Sequence, residues 1–255
     1  MAMNAKITVL YDEGALENTP YIGAKGSAYI IDVDGERTLF GAGLRPRYMR
    51  SNMNSMGVDA DGFDRVIIPD ADKDEWGGID GFLQGRGSPI RIMAPPSVWG
   101  EKKLFGSTGM YVGTNCAGKY EREDLEPSWS QISENLFVGV FGNRDFEEAV
   151  AVIRAIDGPV VLSCRCMSGM QSIFEAVEER FKRKPVAFIG AIDTGRKNDA
   201  LCDAVGNYLL EAGCTDLRFN HCTKALGIGR LRTVLGQEGV KDFFVGESAE
   251  FKVSA

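Results

Sequence analysis

Four acidic residues lie close together in residues 63–83, which read FDRVIIPDADKDEWGGIDGFL. They are Asp70, Asp72, Asp74 and Glu75, and two glycines follow at positions 77 and 78. Carboxylates so close together can bind a hard divalent cation, and one of them can act as a general base. A run of acidic residues is, however, more often a solvated surface loop. The segment is therefore a candidate site, and the residues alone leave both interpretations open.

Histidine and cysteine offer two further candidates. His221 is the single histidine of the chain, in residues 220–223, which read NHCT. It can be a metal ligand or a hydrogen-bonded structural histidine. Cys164 and Cys166 could form a soft metal site with Cys222, although two cysteines near a strand end are more often buried, inert thiols.

Hydrophobic periodicity indicates the elements that must position these residues. Eight β-branched or aromatic runs predict strands, at residues 6–11, 28–33, 37–40, 65–68, 90–94, 159–163, 186–190 and 216–219. Helical spacing at 169–182, 198–212 and 224–235 follows the last three of them. Asp34 and Gly35 predict a hairpin, whereas the irregular segment 106–135 is expected to be an insertion over one face. The alternation predicts one α/β domain over residues 1–255.

Composition favours a globular protein that binds a small molecule. The 255 residues are 44% hydrophobic and 25% charged, and the net charge is −7. This charge repels nucleic-acid phosphates and anionic membrane surfaces, so we expect neither as a partner. We see no signal-peptide pattern, no bilayer-spanning apolar run and no paired CxxC units among the six cysteines. We therefore expect a cytoplasmic protein with a small-molecule ligand, and a homo-oligomer is left open.

Five segments resemble the metallo-β-lactamase superfamily in the order in which that family uses them. The acidic loop and its glycine pair resemble the HxHxDH motif, which follows a strand and precedes a helix that starts at Gly-Gly. The other four segments are 38–43, similar to an FDTG turn; 160–169, similar to a SHAG-like turn; 188–193, a strand that presents an acidic ligand; and 220–223, an HCT-type turn. The resemblance implies an αβ/βα sandwich, in which two mixed sheets pack together with helices on the outside. The hairpin and the HCT ending are also similar to the dihydropterin synthase-like branch of the family.

The resemblance also implies a metal site that has been almost entirely rewritten. The family's ordinary site holds two zinc ions with imidazoles and carboxylates. By its division of ligands, Asp70, Asp72 and Met167 would form the first site; Asp74, Glu75 and His221 would form the second, with Asp193 between the two. A thioether is a poor ligand for a hard cation, so the first site is expected to be disabled. The second set, Asp74, Glu75, Asp193 and His221, is expected to hold at most one divalent metal: manganese, iron, zinc or magnesium.

Two hypotheses about function follow from this site. In the first, the protein is a divergent hydrolase-like enzyme with one metal or none, and Asp70 or Asp72 acts as general base. In the second, it is a non-catalytic protein that binds a ligand or a partner in the cleft without metal. Converging carboxylates repel one another and need protons or cations nearby. If no metal binds, Lys224, Arg165 or Arg196 is expected to supply the positive charge.

Overall fold

The frame of the molecule consists of two large sheets and one small ribbon. A computed structural model describes residues 3–103, 106–143, 146–193 and 199–254, without the side chains of residues 101–103, 106–108 and 221. Its strands are β1 (Met3–Tyr11), β2 (Ala28–Val33), β3 (Glu36–Phe40), β4 (Arg65–Ile67), β5 (Ile90–Ala94), β6 (Glu101–Lys103), β7 (Gly106–Thr108), β8 (Tyr120–Asp124), β9 (Trp129–Gln131), β10 (Leu136–Gly142), β11 (Glu147–Arg154), β12 (Pro159–Ser163), β13 (Ala187–Gly190), β14 (Asp216–Phe219), β15 (Lys241–Asp242) and β16 (Ser248–Val253). Its α-helices are α1 (Pro46–Met56), α2 (Lys73–Trp76), α3 (Ile79–Gln84), α4 (Met170–Phe181), α5 (Asp199–Ala212) and α6 (Lys224–Leu235).

Both large sheets are mixed. The first has the order β16-β1-β2-β3-β4-β5-β8, antiparallel from β16 to β3 and parallel from β3 to β8. The second has the order β15-β14-β13-β12-β11-β10-β9, antiparallel from β9 to β12 and parallel from β12 to β15. The predicted architecture of two mixed sheets with outer helices is therefore confirmed.

Three apolar layers hold the sheets and helices together. Because side chains alternate along a strand, β12 sends Val160 and Leu162 into the layer between the sheets and Val161 towards the helices. The first sheet packs against α1 and α3, through residues such as Met49 and Phe82. Every residue of β12 is buried, which explains why the four residues before Ser163 are all apolar and do not alternate.

The predicted strands and helices are present, with shifted ends, but three features differ from the sequence analysis. The hairpin at Asp34 and Gly35 is confirmed, and both residues have positive φ. The segment 106–135 is not only an insertion, because β8 and β9 in it are edge strands of the two sheets. Strands β10, β11, β15 and β16 were missed, and the parallel pairing of the strands from β3 to β8 was not predicted.

The candidate site lies where strands of the two sheets end side by side. The backbone of Ala149 in β11 donates to the carbonyl of Pro69, just after β4, at 2.7 Å. The hydroxyl of Tyr29 in β2 donates to Asn220 Oδ1, just after β14, at 2.8 Å. These two bonds join the sheets on either side of the acidic loop. Within the described ranges, no helix has the length and apolar composition needed to cross a bilayer.

Candidate functional site

The acidic loop is folded by its own carboxylates. Asp70 Oδ1 accepts from the backbone N–H of Asp72 at 2.7 Å, and Asp72 Oδ1 accepts from that of Asp74 at 3.0 Å. The second bond caps the short helix α2, whose first N–H groups would otherwise lack partners. The indole N–H of Trp76 donates to the carbonyl of Ala71 at 2.9 Å and closes the loop. The spacing of the aspartates thus has a local structural cause.

Arg165 joins this loop to the second sheet. Its Nη1 pairs with Asp72 Oδ2 at 2.5 Å, and its Nη2 pairs with Asp193 Oδ2 at 2.7 Å. The side chain of Arg165 is 15% exposed, whereas those of Asp72 and Asp193 are 37% and 36% exposed, so the guanidinium lies beneath the two carboxylates. The N–H of Asp193 also donates to the carbonyl of Arg165 at 2.8 Å, which ties the turn after β12 to the turn after β13. Of the cations that the sequence offered, Arg165 is therefore placed at the cluster.

Two residues before β2 contact the other half of the acidic loop. Lys25 Nζ pairs with Asp74 Oδ2 at 2.6 Å, and the hydroxyl of Ser27 donates to Glu75 Oε2 at 2.6 Å. Gly26 between them has a φ of 115°, and a Cβ there would lie 2.4 Å from the carbonyl oxygen of Asp74. Only glycine fits at this approach, so the backbone itself brings Lys25 and Ser27 to the loop. Neither residue was predicted from the sequence, because no local pattern links the Lys-Gly-Ser turn before β2 to the acidic loop.

Burial controls the charge of two carboxyl groups at the floor of the site. Asp70 is 4% exposed and Glu75 is 0% exposed. Burial raises the pKa of Asp70 from 3.8 to about 7, against the opposing charge of Arg165. Burial, and then the charge of Asp70, raises the pKa of Glu75 well above 4.5. Among the described residues, Asp70 Oδ2 has no hydrogen-bond partner. The floor therefore carries less negative charge at neutral pH than its composition suggests.

Glu148 in β11 supports the site from behind. It is 2% exposed, and its Oε1 accepts from the N–H of Ser168 at 2.6 Å. Its Oε2 accepts from the hydroxyl of Ser163 at 3.4 Å, and that hydroxyl in turn accepts from the N–H of Cys166 at 2.8 Å. One buried carboxylate thus holds the turn that carries Arg165. Glu148 was not predicted as a site residue, although a glutamate in the otherwise apolar run EAVAVI was an available signal.

The two turns after β13 and β14 complete the cleft. Thr223 Oγ1 accepts from the N–H of Ile192 at 3.0 Å, and the N–H of Asn220 donates to the carbonyl of Gly190 at 2.9 Å. His221 begins a short 3₁₀ helix between these anchors. Its side chain lies outside the described structure, so its predicted role as a ligand stays a prediction.

The remaining candidates from the sequence are placed as follows. Lys224 pairs with Glu13, and Arg196 lies outside the described residues. Cys164 points into the layer between the sheets and Cys166 into the helix layer, so the two thiols do not share a site. Burial raises the pKa of both thiols and of the Cys222 thiol, which keeps them protonated and unreactive at neutral pH.

A small apolar pocket opens beside the Arg165–Asp193 pair. It has a volume of about 260 Å³ and lies between the ends of β12 and β13 and the helices α4 and α5. Among the described residues, it is lined by Cys166, Met167, Gly169, Met170, Ile192, Asp193, Leu201 and Val205. Met167, which the resemblance implied as a ligand of the first metal site, lines this pocket and is 40% exposed.

The side chains present do not fit the two-zinc site that the resemblance implies. Among the residues that the structure describes, no three His, Cys, Asp or Glu side chains converge as a metal site. Arg165 donates to Asp72 and Asp193, and Lys25 to Asp74, so cations of the chain itself contact the oxygens that would bind zinc. The predicted set Asp74, Glu75, Asp193 and His221 stays untested because it includes the undescribed imidazole.

Comparison with known proteins identifies the fold. No protein-family model and no curated protein matches the chain. Among solved structures, Tm1679, a metal-dependent hydrolase of the beta-lactamase superfamily, superposes with a TM-score of 0.77 at 18% identity, over 96% of this chain and 98% of that one. YhfI from Bacillus subtilis, a metallo-beta-lactamase fold protein, superposes with a TM-score of 0.66 at 15% identity, over 97% of this chain and 99% of that one. A diphosphatase from the PhnP family gives 0.66 at 12% identity over 100% of both.

This chain therefore has the metallo-β-lactamase fold, as the five sequence segments implied. The likeness to the dihydropterin synthase-like branch is not shown by these matches and stays a prediction. At these identities the comparisons establish the fold, and a fold does not by itself fix an activity.

Proposed function

We propose that this protein binds a small molecule in the cleft of the metallo-β-lactamase fold and that it is not a two-zinc hydrolase. The observation that carries the proposal is the apolar pocket of about 260 Å³ next to the Arg165–Asp193 pair. Ligand pockets are mostly apolar, with a few fixed polar groups that orient the ligand, and this pocket has that composition. Its volume is room for roughly eight water molecules at about 30 Å³ each, which suits a compact organic group.

The lining of the pocket supports binding in two ways. Met167 and Met170 are flexible and polarisable, so they can adapt to an apolar group of irregular shape. Asp193 stands at the same pocket, held by Arg165. A ligand with an apolar body and a hydrogen-bonding end therefore fits the pocket better than a purely apolar one.

The hydrolase-like enzyme remains a second candidate, because one observation favours it. A pKa of about 7 at Asp70 is close to the value that serves a general base at neutral pH. The similar solved structures described as a metal-dependent hydrolase and a diphosphatase point in the same direction. In this candidate a single metal is held by Asp74, Glu75, Asp193 and His221. Against it, Asp70 is buried and Asp72 is bonded to Arg165.

Binding can be tested with two simple probes, xenon and indole, followed by NMR. We expect both to bind the wild-type protein and to lose binding in a Val205→Phe variant, whose ring fills the pocket. Leu210→Phe is the matched control, because Leu210 lies on the same helix, α5, and is 56% exposed. Equal binding by the two variants would mean that the pocket is not the site.

The enzyme candidate has its own assay. Hydrolysis of bis(p-nitrophenyl) phosphate in manganese, lost in Asp70→Asn, would favour a catalyst over a binding protein. Absence of hydrolysis together with indole binding would favour the proposal above.

We also propose that the protein acts in the cytoplasm. Its six cysteines, at positions 116, 164, 166, 202, 214 and 222, are all free thiols, which suits a reducing compartment.

A further inference from the structure

The acidic loop is accompanied by positive charge that belongs to the chain. Two carboxylates of the loop and one from the turn after β13 contact cations: Asp72 and Asp193 contact Arg165, and Asp74 contacts Lys25. We propose that Arg165 and Lys25 are built-in counter-ions that stand in place of metal ions, so that this site keeps its structure without any divalent cation. The inference concerns the charge of the site and goes beyond the proposed ligand pocket, on which it does not depend.

Arg165 bridges two carboxylates that come from different sheets. A guanidinium offers several N–H donors in one plane, and here two of its nitrogens each take one carboxylate oxygen, one from each sheet. Burial by itself would lower the pKa of Arg165, but the hydrogen bond to Asp193 and the charges of Asp70 and Asp72 raise it on balance. The cation is therefore permanent, and it holds the acidic loop and the turn after β13 together.

Lys25 pairs with the second half of the loop through a single contact, and its own side chain is 59% exposed. The side chain of Asp74 is only 9% exposed, so its carboxylate is partly desolvated and needs a close partner. The ammonium of Lys25 lies 2.6 Å away, and the hydrogen bond to Asp74 raises its pKa. Glu75 beside it accepts from Ser27 and is fully buried, a position that suits a hydrogen-bonded carboxyl better than an open ligand.

Charge arithmetic favours this assignment over added metal. In the described contacts, Asp72, Asp74 and Asp193 contribute three negative charges and Arg165 and Lys25 contribute two positive charges, so most of the charge on these oxygens is already balanced. Two divalent ions on the same oxygens would compete directly with both side-chain cations. A divalent ion should bind these carboxylates most tightly in a variant from which the side-chain cation has been removed. This difference between the variant and the wild type is the basis of the test.

The experiment follows the melting temperature of the purified full chain in EDTA and in manganese chloride. For the wild type we expect no stoichiometric metal after purification without chelator, and the same melting temperature in both solutions. For Arg165→Ala we expect a fall of roughly 5 °C or more in EDTA, of which about 1 mM manganese restores at least half. Arg165→Lys keeps the charge but cannot bond both carboxylates in the same way, so its melting temperature is expected to lie between those of the wild type and Arg165→Ala. It replaces the alanine variant in the test if that variant does not fold.

Arg230→Ala is the matched control. Arg230 makes an equally short paired contact, 2.6 Å at two nitrogens, with Asp203 between α5 and α6 and away from the acidic loop. The decrease in melting temperature of Arg230→Ala is expected to be the same with and without manganese. Stoichiometric metal in the wild type with a melting temperature lowered by EDTA would overturn the inference, and so would an Arg165 variant that manganese does not stabilise. Neither result bears on indole binding, so failure of this inference and failure of the pocket proposal are distinguishable.

Discussion

Replacing Asp70 by asparagine should stabilise the protein at neutral and alkaline pH. Asparagine keeps the oxygen that accepts from the N–H of Asp72 but cannot ionise. The folded pKa of Asp70 is about 7, against 3.8 as the ordinary value, so the folded state holds this proton more tightly than the unfolded state. The contribution of protonated Asp70 to the free energy of unfolding is therefore fully present below pH 3.8 and is lost as the pH rises through 7.

The size of the effect follows from the shift. One pKa unit corresponds to about 1.36 kcal/mol, so the full shift lowers the free energy of unfolding by at most about 4 kcal/mol at high pH. About 1.6 kcal/mol of this decrease has already occurred at pH 5. The stability gap between Asp70→Asn and the wild type should therefore grow by roughly 2–3 kcal/mol between pH 5 and pH 8. Because Asp70 interacts with the buried carboxyl of Glu75, part of this gain belongs to the pair.

Urea unfolding of both proteins in EDTA, at a series of pH values, measures this gap. Asp157→Asn, the same substitution at an exposed carboxylate in the turn before β12, is the control. A gap for Asp70→Asn that stays constant or shrinks with rising pH would refute the reasoning, because it would mean that Asp70 is ionised and stabilised in the folded protein.

Three further substitutions test the frame of the site. Glu148→Ala should cost about 3 kcal/mol in urea unfolding, because it leaves buried donors of the turn after β12 unpaired; Glu148→Gln should cost less. Gly190→Ala should lower the free energy of unfolding by more than about 3 kcal/mol or prevent folding, since its Cβ would lie 1.8 Å from a carbonyl oxygen of β12. Gly213→Ala is the control, because its Cβ would lie in open space, and it should cost about 1 kcal/mol. Tyr29→Phe should cost about 1 kcal/mol in melting experiments, because it removes one buried hydrogen bond between the sheets; no loss would mean that this bond contributes nothing net.

The strands that the sequence revealed are those buried on both faces, because their runs are apolar without interruption. Strand β12 is such a case. Strand β10, with glycines at 139 and 142, and strand β11, which begins with two glutamates, gave weaker patterns and were missed. The pairing of β16 with β1 joins the two ends of the chain, and local periodicity carries no information about such a partner.

The site was partly predictable for a similar reason. Arg165 could be suspected because it lies near proposed ligands in the chain, but the same reasoning applied to Lys224, which pairs with Glu13. Lys25 could not be found in this way, because only the packing of the segment before β2 against α2 brings it to Asp74. Sequence order indicates which loops meet at a sheet edge, but not which of their side chains pair.

The bond between Arg165 and Asp72 spans 93 positions of the chain. Contacts of such long range close a large loop, and they are usually made only after most of the chain entropy has been lost. We therefore expect this contact to be absent from the transition state for folding, with a φ-value near zero. Substitutions at Arg165 would then accelerate unfolding and leave the folding rate almost unchanged. The ion pair therefore contributes to kinetic stability, because it forms after the transition state and slows unfolding.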